Sequence, residues 1–118
     1  MYVDGIVIPV PTRNREAYYE LATRAAPIFK EHGALKIVEC WGDDVPDGDV
    51  TSFPMAVKCK DDETVVFAYV VWPSRAARDE GNEKIRSDPR MKMGEGGMEM
   101  PFDGKRMIFG GFEAILEL

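Results

Sequence analysis

The 118-residue chain has one histidine, two cysteines and no excess of basic residues, so several chemistries have little to work with. His32 has no second histidine to share a metal with. Nothing in the sequence places Cys40 or Ser74 beside it, so neither a Ser-His-Asp nor a Cys-His constellation can be argued. Cys40 and Cys59 lack metal-ligand spacing and read as small buried hydrophobes of a reducing compartment rather than a bridge. The net charge of −6 and pI near 4.8 give a field that repels phosphate backbones and anionic lipid, which excludes nucleic acid and membrane surfaces as expected partners. No segment reaches the ~18 apolar residues of a membrane span, and the N-terminus lacks the order of a signal peptide. The expected location is cytoplasmic.

What is present is ordinary globular material, 45% apolar and 31% charged, in a length that suits one domain over residues 1–118. Tyr2 to Val10 reads as a strand apolar on both parities. A helix to about His32 follows, capped by Thr12 or Asn14, with Tyr18, Leu21, Ala22, Ala25, Ile28 and Phe29 at helical spacing and Gly33 as its stop. Pro27 inside it removes one backbone bond and predicts a kink. Leu35 to Trp41 is a second strand, and Pro46-Asp47-Gly48 a turn. Phe53, Met55, Val57 and Cys59 alternate with more polar positions and predict a further strand, joined by a tight Asp61-Asp62 hairpin to Thr64–Trp72.

Ser74 caps a second main helix to about Ser87, in which Gly81 costs about 1 kcal/mol against Ala and therefore predicts close packing. A Met- and Gly-rich loop, 91–100, leads to a final strand, Lys105–Leu118, that carries Arg106 and Gly110-Gly111. The order gives a ferredoxin-like α+β sandwich, β-α-β-β-α-β, with one extra or broken strand. Two helices cover one face of such a sheet, yet the Thr64–Trp72 strand is apolar on both. A second copy packed sheet to sheet in a homodimer is the expected cover.

Five stretches then carry a resemblance: Ala25-Ala-Pro-Ile-Phe-Lys-Glu-His-Gly-Ala34, Val38-Glu-Cys-Trp-Gly-Asp-Asp-Val-Pro-Asp-Gly48, Trp72-Pro-Ser-Arg-Ala-Ala-Arg-Asp79, Asp88-Pro-Arg-Met91 and Met100-Pro-Phe-Asp-Gly-Lys-Arg-Met-Ile-Phe-Gly-Gly-Phe112. Together they resemble the YbaA-like group of small bacterial proteins, a family of unknown function. The resemblance implies a dimeric α+β barrel, the paired form of the ferredoxin-like fold. It assigns no reaction and transfers no catalytic residues.

The candidate chemistry comes from the residues themselves. Glu39 shares a strand parity with Leu35, Ile37 and Trp41, and desolvation there would raise its pKa toward that of a general base. The alternative is a carboxylate paired with Arg106 or Arg78, or turned to solvent by strand twist. Asp4, among Tyr2, Ile6 and Ile8, invites the same argument. His32 is a second catalytic candidate, or a charge complement at a helix C-terminus. Trp41, Tyr69 and Arg106 are the candidate ligand-binding residues.

Asp43, Asp44, Asp47 and Asp49 read as a solvated turn rather than a calcium loop. Met91, Met93, Met98 and Met100 read as a pliable lid or dimer contact rather than a copper site. Gly94, Gly96 and Gly97 do not make a phosphate loop. No metal and no organic cofactor is expected. The leading expectation is a homodimer that binds a small apolar or aromatic ligand, either as a cofactor-free monooxygenase or isomerase. The alternative is a non-catalytic interaction or stress-associated dimer.

Overall fold

The structure is a computed structural model that describes residues 1–92 and 100–118. Among these residues the chain forms one four-stranded antiparallel sheet, with its two long helices packed on one face. In chain order the elements are β1 (Tyr2–Pro11), α1 (Arg15–Glu31), β2 (Lys36–Trp41), α2 (Phe53–Ala56), β3 (Glu63–Trp72), α3 (Arg75–Ser87) and β4 (Ile108–Glu113). The strand order is β2-β3-β1-β4. This α+β arrangement is compatible with a ferredoxin-like fold.

The central pair is β1 with β3, in register from Tyr2↔Trp72 to Pro11↔Glu63. That register puts Ile8, Val10, Val66, Ala68, Val70 and Trp72 on the helix side, each with no more than 4% of its surface exposed. One apolar cluster, of Ile8, Val10, Tyr18 and Val66, lies under the N-terminal half of α1. A second, of Ala34, Val70, Trp72 and Ile85, lies between α3 and the end of α1.

α1 runs through Pro27 as one helix and ends on Gly33, whose φ of 108° suits only glycine. Gly33 N–H donates to the Lys30 carbonyl and Ala34 N–H to the Phe29 carbonyl, the paired bonds of a Schellman stop. Ser74 caps α3 as expected, accepting from Ala77 N–H at 3.1 Å. Gly81 is buried there for a packing reason. A Cβ would collide with the Trp72 ring and lie 2.6 Å from the His32 carbonyl oxygen.

Four local expectations need correction. Residues 53–60 form no strand: Ser52 accepts from Met55 N–H, Pro54 sits in the first turn, and the result is the single-turn helix α2. A period of two was matched by a segment too short to reveal that the chain curls back, and Lys58, at φ 50°, completes the reversal. The extra strand and the Asp61-Asp62 hairpin therefore do not exist among the described residues. Asn14 does not cap α1; its Nδ2 donates to the Pro101 carbonyl at 2.8 Å. The last strand is shorter than expected, beginning after a 3-10 turn at Gly104–Arg106, so Arg106 lies outside it. The expectations for Met93, Met98, Gly94, Gly96 and Gly97 fall outside the described residues.

β4 pairs with β1 through Gly5↔Gly110 and Val3↔Phe112. Gly111 has no room for a side chain, because Tyr2 and Arg78 occupy that space. On the face away from α1 and α3, the register aligns Val3, Val7, Val38, Val65, Phe67, Tyr69, Val71, Ile108 and Phe112, with Lys36 and Glu63 as the charged strand residues on that side. α2 lies against β3, with the Phe53 and Phe67 rings edge-on at 6.0 Å. Phe67 is still 42% exposed and Phe112 61%.

Gly81→Ala should lower the unfolding free energy by about 1–3 kcal/mol, the cost of overpacking, even though Ala is the better helix former by ~1 kcal/mol. Urea denaturation checks this. An unchanged or raised stability would mean that the Trp72 ring and the α1 terminus yield easily.

Candidate functional site

Three carboxylates project from the strands into largely apolar surroundings, and each is satisfied differently. Asp4 accepts from Trp72 Nε1 (3.0 Å), Arg78 Nε (3.0 Å) and Asn82 Nδ2 (3.3 Å). Arg78 also lies over the Tyr2 ring, 4.9 Å from its centre. Glu63 receives both arms of Arg106, Nη1 and Nη2 at 2.6 Å each, and the Arg106 pairing holds its carboxyl below the usual range. Asp4 and Glu63 thus have cations beside them.

Glu39 does not. Its recorded partner is the Tyr18 hydroxyl, which donates to Oε1 at 2.6 Å. β2 is an edge strand and Glu39 is an exposed residue on it, as the solvent-facing alternative expected, although its carboxyl reaches the Tyr18 hydroxyl on α1. Burial pushes its pKa above the ordinary glutamate value, and the Tyr18 bond pulls it partly back. Burial, then the charge of Glu39, pushes the Tyr18 phenol far upward, so it stays a donor at every physiological pH.

Tyr18 is held for that task. It is buried in the cluster with Ile8, Val10 and Val66, and the Phe102 ring tilts against it at 5.8 Å. Asn14 ties the carbonyl of neighbouring Pro101 to the start of α1, so the Pro101-Phe102 turn backs the tyrosine. On β3 the residue opposite Glu39 is Ala68, whose single methyl leaves space where a larger side chain would crowd the carboxyl. The outcome is an open cleft of about 160 Å³ between α1 and β2, lined by Arg15, Tyr18, Tyr19, Glu39, Trp41 and Val66 among others. The Arg15 guanidinium lies over the Trp41 ring, 5.4 Å from its centre.

Of the five residues singled out from sequence, the structure brings Glu39 and Trp41 together. Tyr69 lies on the opposite face of the sheet, beside Phe67 at 6.0 Å. His32 sits at the C-cap of α1, with Nε2 3.0 Å from Asp88 Oδ2, in a network that Arg90 extends to Glu31. Arg106 is committed to Glu63 and Asp103. Neither Arg106 nor Arg78 pairs with Glu39. Tyr18 and Arg15 were missed as site residues. The available signal was a tyrosine within an apolar helical stripe, where a buried phenol must find a partner for its hydroxyl.

The acidic 43–49 loop borders a depression that also includes Asp61 and Glu63, yet no group of three metal-ligating side chains converges among the described residues. Burial raises the Cys59 thiol pKa, which makes it a poor nucleophile.

The raised Glu39 pKa has a definite sign in stability. The folded chain holds this proton to higher pH than the unfolded chain, so the group's contribution declines as pH climbs from the ordinary value of 4.5 through the raised one. Glu39→Gln should remove that slope from urea midpoints measured across the window. Tyr18→Phe should move the Glu39 carboxyl, followed by carbon-13 NMR, higher still. A fall in that pKa would contradict the hydrogen bond.

Sequence comparison now gives this site a setting. The family model "Protein of unknown function (DUF1428)" matches residues 1–104. Over 116 residues the chain is 60% identical to the "Uncharacterized protein YbaA" of Escherichia coli K12 and, to the same degree, to those of Escherichia coli O157:H7 and Shigella flexneri, covering 98% of this chain and 97% of each relative. The chain belongs to the YbaA-like DUF1428 family of proteins of unknown function.

Proposed function

We propose that the protein is a homodimeric small-molecule-binding protein in which Glu39 acts as a general base toward a single-ring ligand held in the α1–β2 cleft. The observation that supports it most is the Glu39–Tyr18 pair: a carboxylate raised by burial, oriented at 2.6 Å by a neutral donor and beside no cation that would lower its basicity. The volume of the cleft, about 160 Å³, is close to the ~150 Å³ known to accommodate benzene. Trp41, Tyr19 and Val66 supply apolar and aromatic walls.

Glu39 would take a proton from an acidic C–H or phenolic O–H, becoming the carboxylic acid while the ligand becomes the conjugate base. Returning that proton to a different carbon completes an isomerisation with no other reactant. A cofactor-free monooxygenation would start with the same deprotonation and consume dioxygen as oxidant. In either case Tyr18 positions the carboxylate, and the chain needs no metal or organic cofactor for the proton step. The non-catalytic alternative draws support from His32, Arg106 and Asp4, whose charged partners suit architecture.

4-Nitrophenol is a suitable probe, because absorbance reports its protonation directly. Wild-type protein should bind it saturably and raise its apparent pKa, since the Glu39 carboxylate accepts from the phenol and repels the phenolate. Glu39→Gln should abolish that rise. Absence of saturable binding, or identical absorbance with both proteins, would remove the base reading in favour of the non-catalytic one.

The dimer reading rests on the sheet face opposite the helices. That face presents an apolar row with two strand charges of opposite sign, Lys36 and the Arg106-paired Glu63, so two copies can meet there without opposing the net charge of −6 that each carries. Ile115, Leu116 and Leu118 continue beyond β4 at 94%, 75% and 113% relative exposure and extend the apolar surface. Light scattering at micromolar concentration should give twice the 13.3 kDa chain mass, and Phe67→Asp should reduce it to one. A monomer mass for the wild type would rule this arrangement out.

A further inference from the structure

The same cleft has two chemically distinct ends, and their spacing narrows the ligand class. Glu39 and Trp41 lie two residues apart on β2 and share its helix side, which separates them by roughly 7 Å along the strand. At the Trp41 end stands Arg15, its guanidinium stacked over the indole and lining the cleft. Among the described residues Arg15, Arg24 and Arg86 have no carboxylate partner, whereas Arg13, Arg75, Arg78, Arg90 and Arg106 each have one, and of the three only Arg15 lines the cleft. A stacked guanidinium keeps its outward N–H fork available for a planar anion. It also stands in the first turn of α1, where the helix dipole favours negative charge.

At the other end, Glu39 uses Oε1 for Tyr18, and Oε2 has no protein donor among the described residues. This end repels a second anion and accepts an O–H or acidic C–H. Between the two ends lie the Trp41 face and the apolar side of Val66. A cation beside Trp41 and a hydrogen-bond acceptor two strand positions away, with an aromatic wall in the same cleft, are complementary to a ligand with an anion at one end and a proton donor at the other.

We infer that the cleft selects a single-ring carboxylate bearing a hydroxyl or acidic C–H across the ring from the carboxylate, with Arg15 as the specificity-determining residue. This inference rests on the proposed base role of Glu39 and adds the anionic end. Arg15 holds the carboxylate over Trp41, and Glu39 Oε2 accepts the opposite proton.

Three probes separate the parts: 4-hydroxybenzoate, its neutral analogue 4-hydroxybenzamide, and benzoate, which lacks the hydroxyl. Affinities are measured by calorimetry or NMR titration for wild type, Arg15→Gln and Glu39→Gln, with circular dichroism melts confirming that each variant is folded. Wild type should prefer 4-hydroxybenzoate to 4-hydroxybenzamide by roughly tenfold, as one charge-assisted pair predicts. Arg15→Gln should erase that preference by weakening 4-hydroxybenzoate about tenfold more than 4-hydroxybenzamide. Glu39→Gln should erase the preference for 4-hydroxybenzoate over benzoate. Equal binding of acid and amide by wild type overturns the Arg15 inference and leaves the base role standing. Failure of all three probes to bind overturns both.

Discussion

The antiparallel pairing of β1 with β3 is the constraint from which the rest of the molecule follows. It runs the full ten residues of both strands, and side chains alternate strictly along it. A slip of one residue would send Trp72, Val70, Ala68 and Val66 to the far face and bring Phe67 and Tyr69 under the helices. Trp72 shows how much depends on the register. Its ring is wholly buried, receives Gly81 of α3 against one side, and donates its indole N–H to Asp4 on the neighbouring strand. α3 therefore approaches Trp72 only because position 81 has no side chain and position 72 has one polar atom with a waiting acceptor.

That pairing also sets the electrostatic contrast between the strand carboxylates. Asp4 and Glu63 lie on the two central strands, where ionised groups lose water on most sides and require cations. Arg78 and Arg106 meet that need, and both arginines come from segments distant in sequence. Glu39 lies on the edge strand, where partial hydration supports an ionised carboxylate with only a neutral phenol for company. The energetic oddity is thus confined to one carboxylate, beside the cleft that Trp41 and Arg15 complete.

Much of the fold was legible because local signals and tertiary demands agree in most elements. Ser74 caps α3, Gly33 ends α1, and the doubly apolar run at 64–72 is an inner strand, all for reasons that act over a few residues. The segment 53–60 failed because a single helical turn has no room to express a 3.6-residue period, while its alternating apolar residues imitate a strand. Ser52 followed by Pro54 was the contrary signal. At the site, the strand parity that Glu39 shares with Ile37 and Trp41 was legible, and the identity of its neighbour was not accessible. Tyr18 lies 21 residues away, and Arg106 meets Glu63 across 43. Such pairings depend on register and crossing of elements, which no window of sequence contains.

The two faces of the sheet impose different demands on one strand. Val66 lines the Glu39 cleft and Ala68 stands opposite Glu39 on the helix side, whereas Phe67, between them, projects to the other face, where Phe53 of α2 meets it edge-on. Cover over Phe67 can therefore change without touching the carboxylate directly, provided the backbone of β3 stays straight. The residue that connects the two is Ala68, since any larger side chain there would press on Glu39 and Tyr18 while lifting β3 away from α1. The strand tolerates apolar exchange at Phe67, which is 42% exposed, far better than any increase in volume at Ala68, which is 1% exposed.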